Sequence, residues 1–179
     1  MMRDEVRKII EKVCNDGNKE WFVRCCNSKI SFLDELIEKI SKLTDGVEIY
    51  PSHGEPNEEI YISVNTKALG IITIQYESVL LISKIGTFFY LRHEYSMNNP
   101  DEDRIDPDFG DFRDEGFNKQ QYIIDELIVQ YLNEKGYSRL SESETQEEYP
   151  NPVFLEEYGK EEYLSVGNFL FKDFLGLNR

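Results

Sequence analysis

The feature that most restricts the fold is a change of apolar period near residue 46. Before it, apolar residues recur at three- and four-residue steps: Val6, Ile9, Ile10 and Val13, then Phe32, Leu33, Leu36, Ile37, Ile40 and Leu43. That spacing lines one face of an α-helix. After it come Val47–Tyr50, Ile60–Val64, Ala68–Tyr76, Val79–Ile85 and Thr87–Tyr95, rich in β-branched and aromatic residues, with Ile60, Ile62 and Val64 alternating against Tyr61 and Ser63. The connections Asn65-Thr66-Lys67, Glu77-Ser78 and Ile85-Gly86 are too short for crossover helices, so neighbouring strands are antiparallel. Alternation fades in Ala68–Tyr76 and Val79–Ile85, as expected of central strands covered by helices on at least one face.

Helical spacing returns at Asn118 to Lys135, where Tyr122, Ile123, Ile124, Leu127, Ile128, Tyr131 and Leu132 are apolar and Gly136 supplies a stop. A short helix is expected at Glu20–Cys26, another at Ser141–Glu148 and a last one at Asn168–Leu175. The chain of 179 residues falls within the usual size of one domain. The expectation is a single α+β domain with an antiparallel meander of four to five strands. It divides into a helical part (1–46), the meander (47–95), an acidic loop (96–117), a long amphipathic helix (118–135) and an acidic tail with short helices (136–179).

Composition excludes several functions. There are 35 Asp and Glu against 20 Lys and Arg, a net charge of -15. Such a chain lacks the basic footprint that direct nucleic-acid binding needs, and anionic membranes disfavour it for the same reason. No apolar run approaches the ~18 residues of a membrane span, and Met1-Met2-Arg3-Asp4-Glu5 does not open a signal peptide. Cys14, Cys25 and Cys26 are odd in number, which implies reduced core thiols and a cytoplasmic location.

The acidity is concentrated. Glu94–Glu115 holds nine acids and two bases, and Glu142–Glu162 holds eight acids and one base, so these stretches carry all but one unit of the net charge. Both interleave rings with carboxylates: Tyr95, Phe109, Phe112 and Phe117 in the first, Tyr149, Phe154, Tyr158 and Tyr163 in the second. A charge run is ordinarily a solvated face. Rings among the acids point instead to an interface, where aromatic anchors sit inside a polar rim that steers the encounter. The candidate partner-binding residues are Asp101, Glu102, Asp103, Asp106, Asp108, Phe109, Asp111 and Phe112, with Glu147, Glu148, Tyr149, Glu156, Glu157 and Tyr158.

Catalytic signatures are missing. The EF-hand template fails from Asp106, because Gly110 and Asp111 fall at its fifth and sixth positions and Phe117 at its twelfth. There is no P-loop, dinucleotide fingerprint, nucleophile elbow or HExxH. His53 lies in a Gly/Pro loop without a second ligand at metal spacing, and His93, between Arg92 and Glu94, reads as a strand-surface residue. No catalytic residue, metal or cofactor is expected.

In the last third, Tyr131-Leu132-Asn133-Glu134-Lys135-Gly136-Tyr137-Ser138-Arg139-Leu140-Ser141 and Gly167-Asn168-Phe169-Leu170-Phe171-Lys172-Asp173 resemble the helix-to-tail junction and closing segment of small immunity proteins from bacterial polymorphic-toxin and contact-dependent inhibition systems. The layout of N-terminal helices, meander, long helix and acidic tail is similar to theirs. The resemblance implies a non-catalytic protein that neutralises a cognate basic toxin domain, often a nuclease, by occupying its phosphate-binding cleft. A general acidic interaction or regulatory module, with nucleic-acid mimicry as one form, is the alternative.

Overall fold

The structure, a computed structural model, describes residues 3–14, 18–50, 54–98, 100, 109–149 and 164–173. Three helices come first: α1 (Asp4–Cys14), α2 (Lys19–Cys26) and α3 (Leu33–Ser41). The strands β1 (Gly46–Tyr50), β2 (Asn57–Leu69), β3 (Ile72–Ser83), β4 (Phe88–Asn98) and β5 (Phe109–Arg113) follow, then α4 (Lys119–Glu134). The described chain closes with β6 (Ser138–Leu140), α5 (Glu142–Thr145), β7 (Glu148–Tyr149), β8 (Leu164–Ser165) and α6 (Val166–Phe171). Among the described residues, no helix is long and apolar enough to cross a membrane.

β1 to β5 form an antiparallel meander in chain order. β6 adds a short parallel pairing along Phe88–Tyr90, on the strand that pairs with β5 further along at His93–Met97. The α+β architecture with helices before and after the sheet is therefore present. Two expected turns are not. Asn65-Thr66-Lys67 and Glu77-Ser78 lie inside strands, and β2 and β3 run through them as one long hairpin. The polar run at 65–67 marks a register shift between Ser63 and Asn65, beyond which Thr66, Lys67, Ala68 and Leu69 face solvent. The hairpin turns at Gly70-Ile71, with Gly70 at φ +65°, the left-handed first position of a two-residue turn. The segment expected as the acidic loop is also partly sheet, since β4 runs on to Asn98 and β5 lies within it.

Each helix buries the stripe its period predicts. On one sheet face, Leu36 and Ile40 of α3 and Ile124, Ile128 and Leu132 of α4 close over Ile60, Ile62, Leu80, Ile82, Phe89 and Leu91. Asn118 caps α4 by accepting the N–H groups of Gln120 and Gln121, and Gly136, at φ +82°, ends it in a Schellman turn in which Tyr137 N–H reaches the Leu132 carbonyl. On the opposite face, Val6, Ile10, Phe22, Cys26, Phe169 and Phe171 of α1, α2 and α6 pack with Ile85, Phe88 and Tyr90. These helices cover only the end of the sheet around Leu81 to Tyr90. The Cys25 and Cys26 thiols are raised by burial, Cys26 to about 12 with help from the Asp173 carboxylate, and so remain protonated.

Candidate functional site: the open half of the sheet

The strand registers define what the uncovered part of the second face displays. One cross-strand row reads Gly46, Ser63, Glu77, Glu94 and Phe112; the next reads Glu48, Tyr61, Val79 and Arg92; the third reads Tyr50, Glu59, Leu81 and Tyr90. Four carboxylates and one guanidinium therefore share this face, interleaved with rings. Tyr50 is 53 % exposed and Phe112 is 49 % exposed. The Tyr50 and Tyr61 rings meet at 4.9 Å, and Tyr61 O–H donates to Glu59 Oε1 at 2.9 Å. Arg92 Nε donates to Glu94 Oε1 at 2.6 Å, with its guanidinium 5.5 Å from the Phe112 ring centre.

The field on this face is visible in its titrating groups. Burial raises the Glu77 carboxyl, and the Glu94 and Glu48 carboxylates raise it further, with Arg92 only partly opposing them. Burial and the bond to Glu59 push the Tyr61 hydroxyl up to about 12. Negative charge on this face is thus held in excess of its local partners.

At the covered end, the face runs under α5 and α6 and forms a cleft of about 550 Å³. Its floor is Asn57, Glu59, Leu81, Tyr90 and Arg92, and its far wall includes Glu142, Thr145 and Phe171. Tyr90 O–H donates to Glu142, and Glu142 N–H donates to both oxygens of Asp114 at 3.1 and 3.0 Å, which fixes that wall to the sheet.

Among the described residues expected to bind a partner, Phe112 alone stands on this face, at its β5 edge. Asp111 is exposed and opposite Tyr95, its Oδ1 accepting the Phe112 N–H. Phe109 begins β5. Glu148 is exposed on β7, Glu147 borders a crevice with Arg3 and Val6, and the Tyr149 ring packs edge-on against Phe169 at 5.9 Å. Asp101, Glu102, Asp103, Asp106, Asp108, Glu156, Glu157 and Tyr158, together with His53, lie outside the described residues. Charge counted along the chain misses Glu48, Glu59 and Glu77, since the six acids of the meander (47–95) are spread among three bases and form no run. The period of two that predicts the strands also sorts these acids onto one side.

The covered face holds a second polar constellation, and it corrects the reading of His93. That residue is fully buried, not on the strand surface. Its Nε2 donates to Asp125 Oδ2 at 2.9 Å, because a carboxylate only accepts, leaving Nδ1 to the Ser78 hydroxyl at 2.7 Å. Arg139 donates to both Asp125 oxygens at 3.1 and 2.8 Å and to the Leu91 and Asp114 carbonyls. Serine, histidine and aspartate stand in relay order, yet Ser78 is fully buried and no substrate can reach its oxygen. The relay fastens α4 to the sheet. Beside it Gln121 donates to the Glu77 and Glu94 carbonyls at 2.9 and 3.0 Å, gripping the two strands whose side chains face the other way into the acidic rows. Among the described residues, no group of three or more His, Cys, Asp or Glu is placed to hold a metal ion.

Comparison with protein-family models, with curated proteins and with solved structures gives no match.

Proposed function

We propose that the protein is a non-catalytic immunity protein that binds and neutralises a basic, nuclease-type toxin domain, using the open half of its sheet together with its two acidic segments. The observation that carries this reading is the face itself: Glu48, Glu59, Glu77 and Glu94 set among Tyr50, Tyr61 and Phe112, with Arg92 as the one cation of its rows. A surface of that kind attracts a basic cleft over long range and speeds encounter, while exposed rings supply the desolvated contacts that slow release. The five-strand support and the α4 clamp hold these groups in place before binding, which limits the ordering cost of association.

The test is association with a cognate toxin domain, sought among the products of the genes next to this one. Carrying Glu48→Lys and Glu77→Lys together should slow association about tenfold or more at low salt, with the gap closing as salt rises. A variant that associates and protects as the parent does at every salt concentration removes the open face from the interface. Carrying Asp103→Lys, Asp106→Lys and Asp108→Lys measures the separate share of the first acidic segment.

A further inference from the structure

We propose that the cleft between the sheet and the α5–α6 wall is a receptor for a single arginine side chain of the partner. The partner's basic character rests on the function proposed above; the cleft's own preference does not.

Three observations converge on a guanidinium. First, the cleft is a cavity of about 550 Å³, within the ~300–1,000 Å³ of small-ligand sites, so it takes a long side chain and not a folded element. Second, its acids outnumber its bases. Glu55, Glu59 and Glu142 line it against Arg92 and Lys172, and the Arg92 charge is already engaged by Glu94 at 2.6 Å. Glu59 spends Oε1 on the Tyr61 hydroxyl, while its Oε2 has no donor among the described residues. An anion entering here meets carboxylates; a cation meets a spare acceptor.

Third, Asn57 lines the floor with only 3 % of its surface exposed, and a side-chain amide there offers both a donor and an acceptor to whatever enters. Asn57 and Glu59 occupy alternate positions of one strand and project onto the same face, so an amide and a carboxylate line the same floor. Neighbouring acceptors of that kind suit the planar five-donor fork of arginine better than the compact lysine ammonium. Tyr90, Phe112 and Phe171 add aromatic surface on which a guanidinium packs, as Arg92 already does with Phe112.

The test uses the full-length protein with N-acetyl-arginine amide as probe and its uncharged isostere, N-acetyl-citrulline amide, as control, followed by amide chemical shifts. The arginine probe should give saturable shifts centred on Asn57, Glu59 and Tyr90, and the citrulline probe should not saturate. Glu59→Gln should weaken the arginine probe about tenfold, the value of one charge-assisted hydrogen bond. Glu55→Gln, at the exposed rim, should give a smaller loss and serves if Glu59→Gln perturbs the amide spectrum. Equal binding of citrulline, shifts centred elsewhere, or inorganic phosphate occupying the same residues overturns the proposal. The two readings fail separately. If the arginine probe binds while Glu48→Lys with Glu77→Lys leaves protection intact, the cleft stands and the acidic interface falls. If that variant loses protection while the probe does not bind, the interface stands and the cleft falls.

Discussion

The two faces of the sheet are built from alternate residues of the same strands and treat charge in opposite ways. On the face under α3 and α4, polar side chains are buried and matched: Ser78 to His93, His93 and Arg139 to Asp125, and Gln121 to two strand carbonyls. On the open face, Glu77 and Glu94 are register partners with like charge, Glu48 lies nearby, and one arginine serves them all. Like charges opposite one another on a sheet destabilise it. The covered face therefore spends its polar groups on fixing the fold, and the open face holds charge that the fold itself does not use. A surplus of that kind is what a binding surface for a cation requires.

The largest effect that separates the faces is expected at Asp125. Asp125→Ala leaves a buried imidazole and the Arg139 guanidinium without their shared acceptor, which should cost about 2–3 kcal/mol. Glu48→Ala, exposed on the other face, should stay within about 0.5 kcal/mol. Urea unfolding at neutral pH measures both. Equal costs would mean that the two faces do not differ in what their polar groups do for the fold.

Much of this division was legible in sequence, though unevenly. Val6, Ile10 and Val13, or Leu36 and Ile40, announce helices because a period of 3.6 is local and each apolar residue repeats the message. The antiparallel meander was legible in the run of β-branched and aromatic residues and in the short Ile85-Gly86 connection, although Asn65-Thr66-Lys67 and Glu77-Ser78, read as turns, lie inside strands. The Gly70-Ile71 turn was not, because the residues around it leave the helix-covered core and lose their alternation, while the polar pair Glu77-Ser78 looks like a turn until its two side chains are assigned to opposite faces. His93 was misplaced for a related reason. Counting by twos from Phe89 through Leu91 puts it on the covered face, but its charged neighbours Arg92 and Glu94 dominate a linear reading. β5 lies in a stretch whose prolines and glycines read as a break, and β6 depends on pairing with Phe88–Tyr90, far away in sequence, which no local pattern records. The acidic site suffered most, because a run of charges is visible along the chain and a cross-strand row is not.

A paired acid and an unpaired acid should also differ in how stability follows pH. Glu144 receives Arg3 Nε and a second guanidinium nitrogen at 2.7 and 2.9 Å, joining α1 to α5 across 141 positions of chain. Burial alone would raise its carboxyl, but the Arg3 and Ser141 hydrogen bonds outweigh burial and hold it below the ordinary value. A depressed carboxyl contributes stability that is present above the unfolded-chain value and is lost as pH falls through the folded one. Arg3→Met should cost about 1 kcal/mol or less near neutrality, since the pair is about a third exposed. The same substitution should flatten the acid limb of a stability-versus-pH curve; an unchanged limb would show that Glu144 is not held down by Arg3.

Glu77 should show the opposite slope and the smallest size. Its folded carboxyl lies above the ordinary value, so the folded state binds the proton more tightly than the unfolded chain does. Stability is then undiminished below the unfolded value, near ~4.3 for glutamate, and falls as pH rises through the window up to the raised one. Glu77→Gln removes that loss. The variant should match the parent at low pH and exceed it by about 0.5 kcal/mol or less at neutrality, read from urea midpoints at the two ends of the window. A basic partner supplies from outside the counter-charge that the fold lacks, so its binding should lower the Glu77 carboxyl and release a proton. Affinity for such a partner should therefore strengthen as pH rises through the same window, and Glu77→Gln should weaken that slope. If the slope is the same with and without Glu77, the like-charged row plays no part in recognition, and the two faces differ only in what covers them.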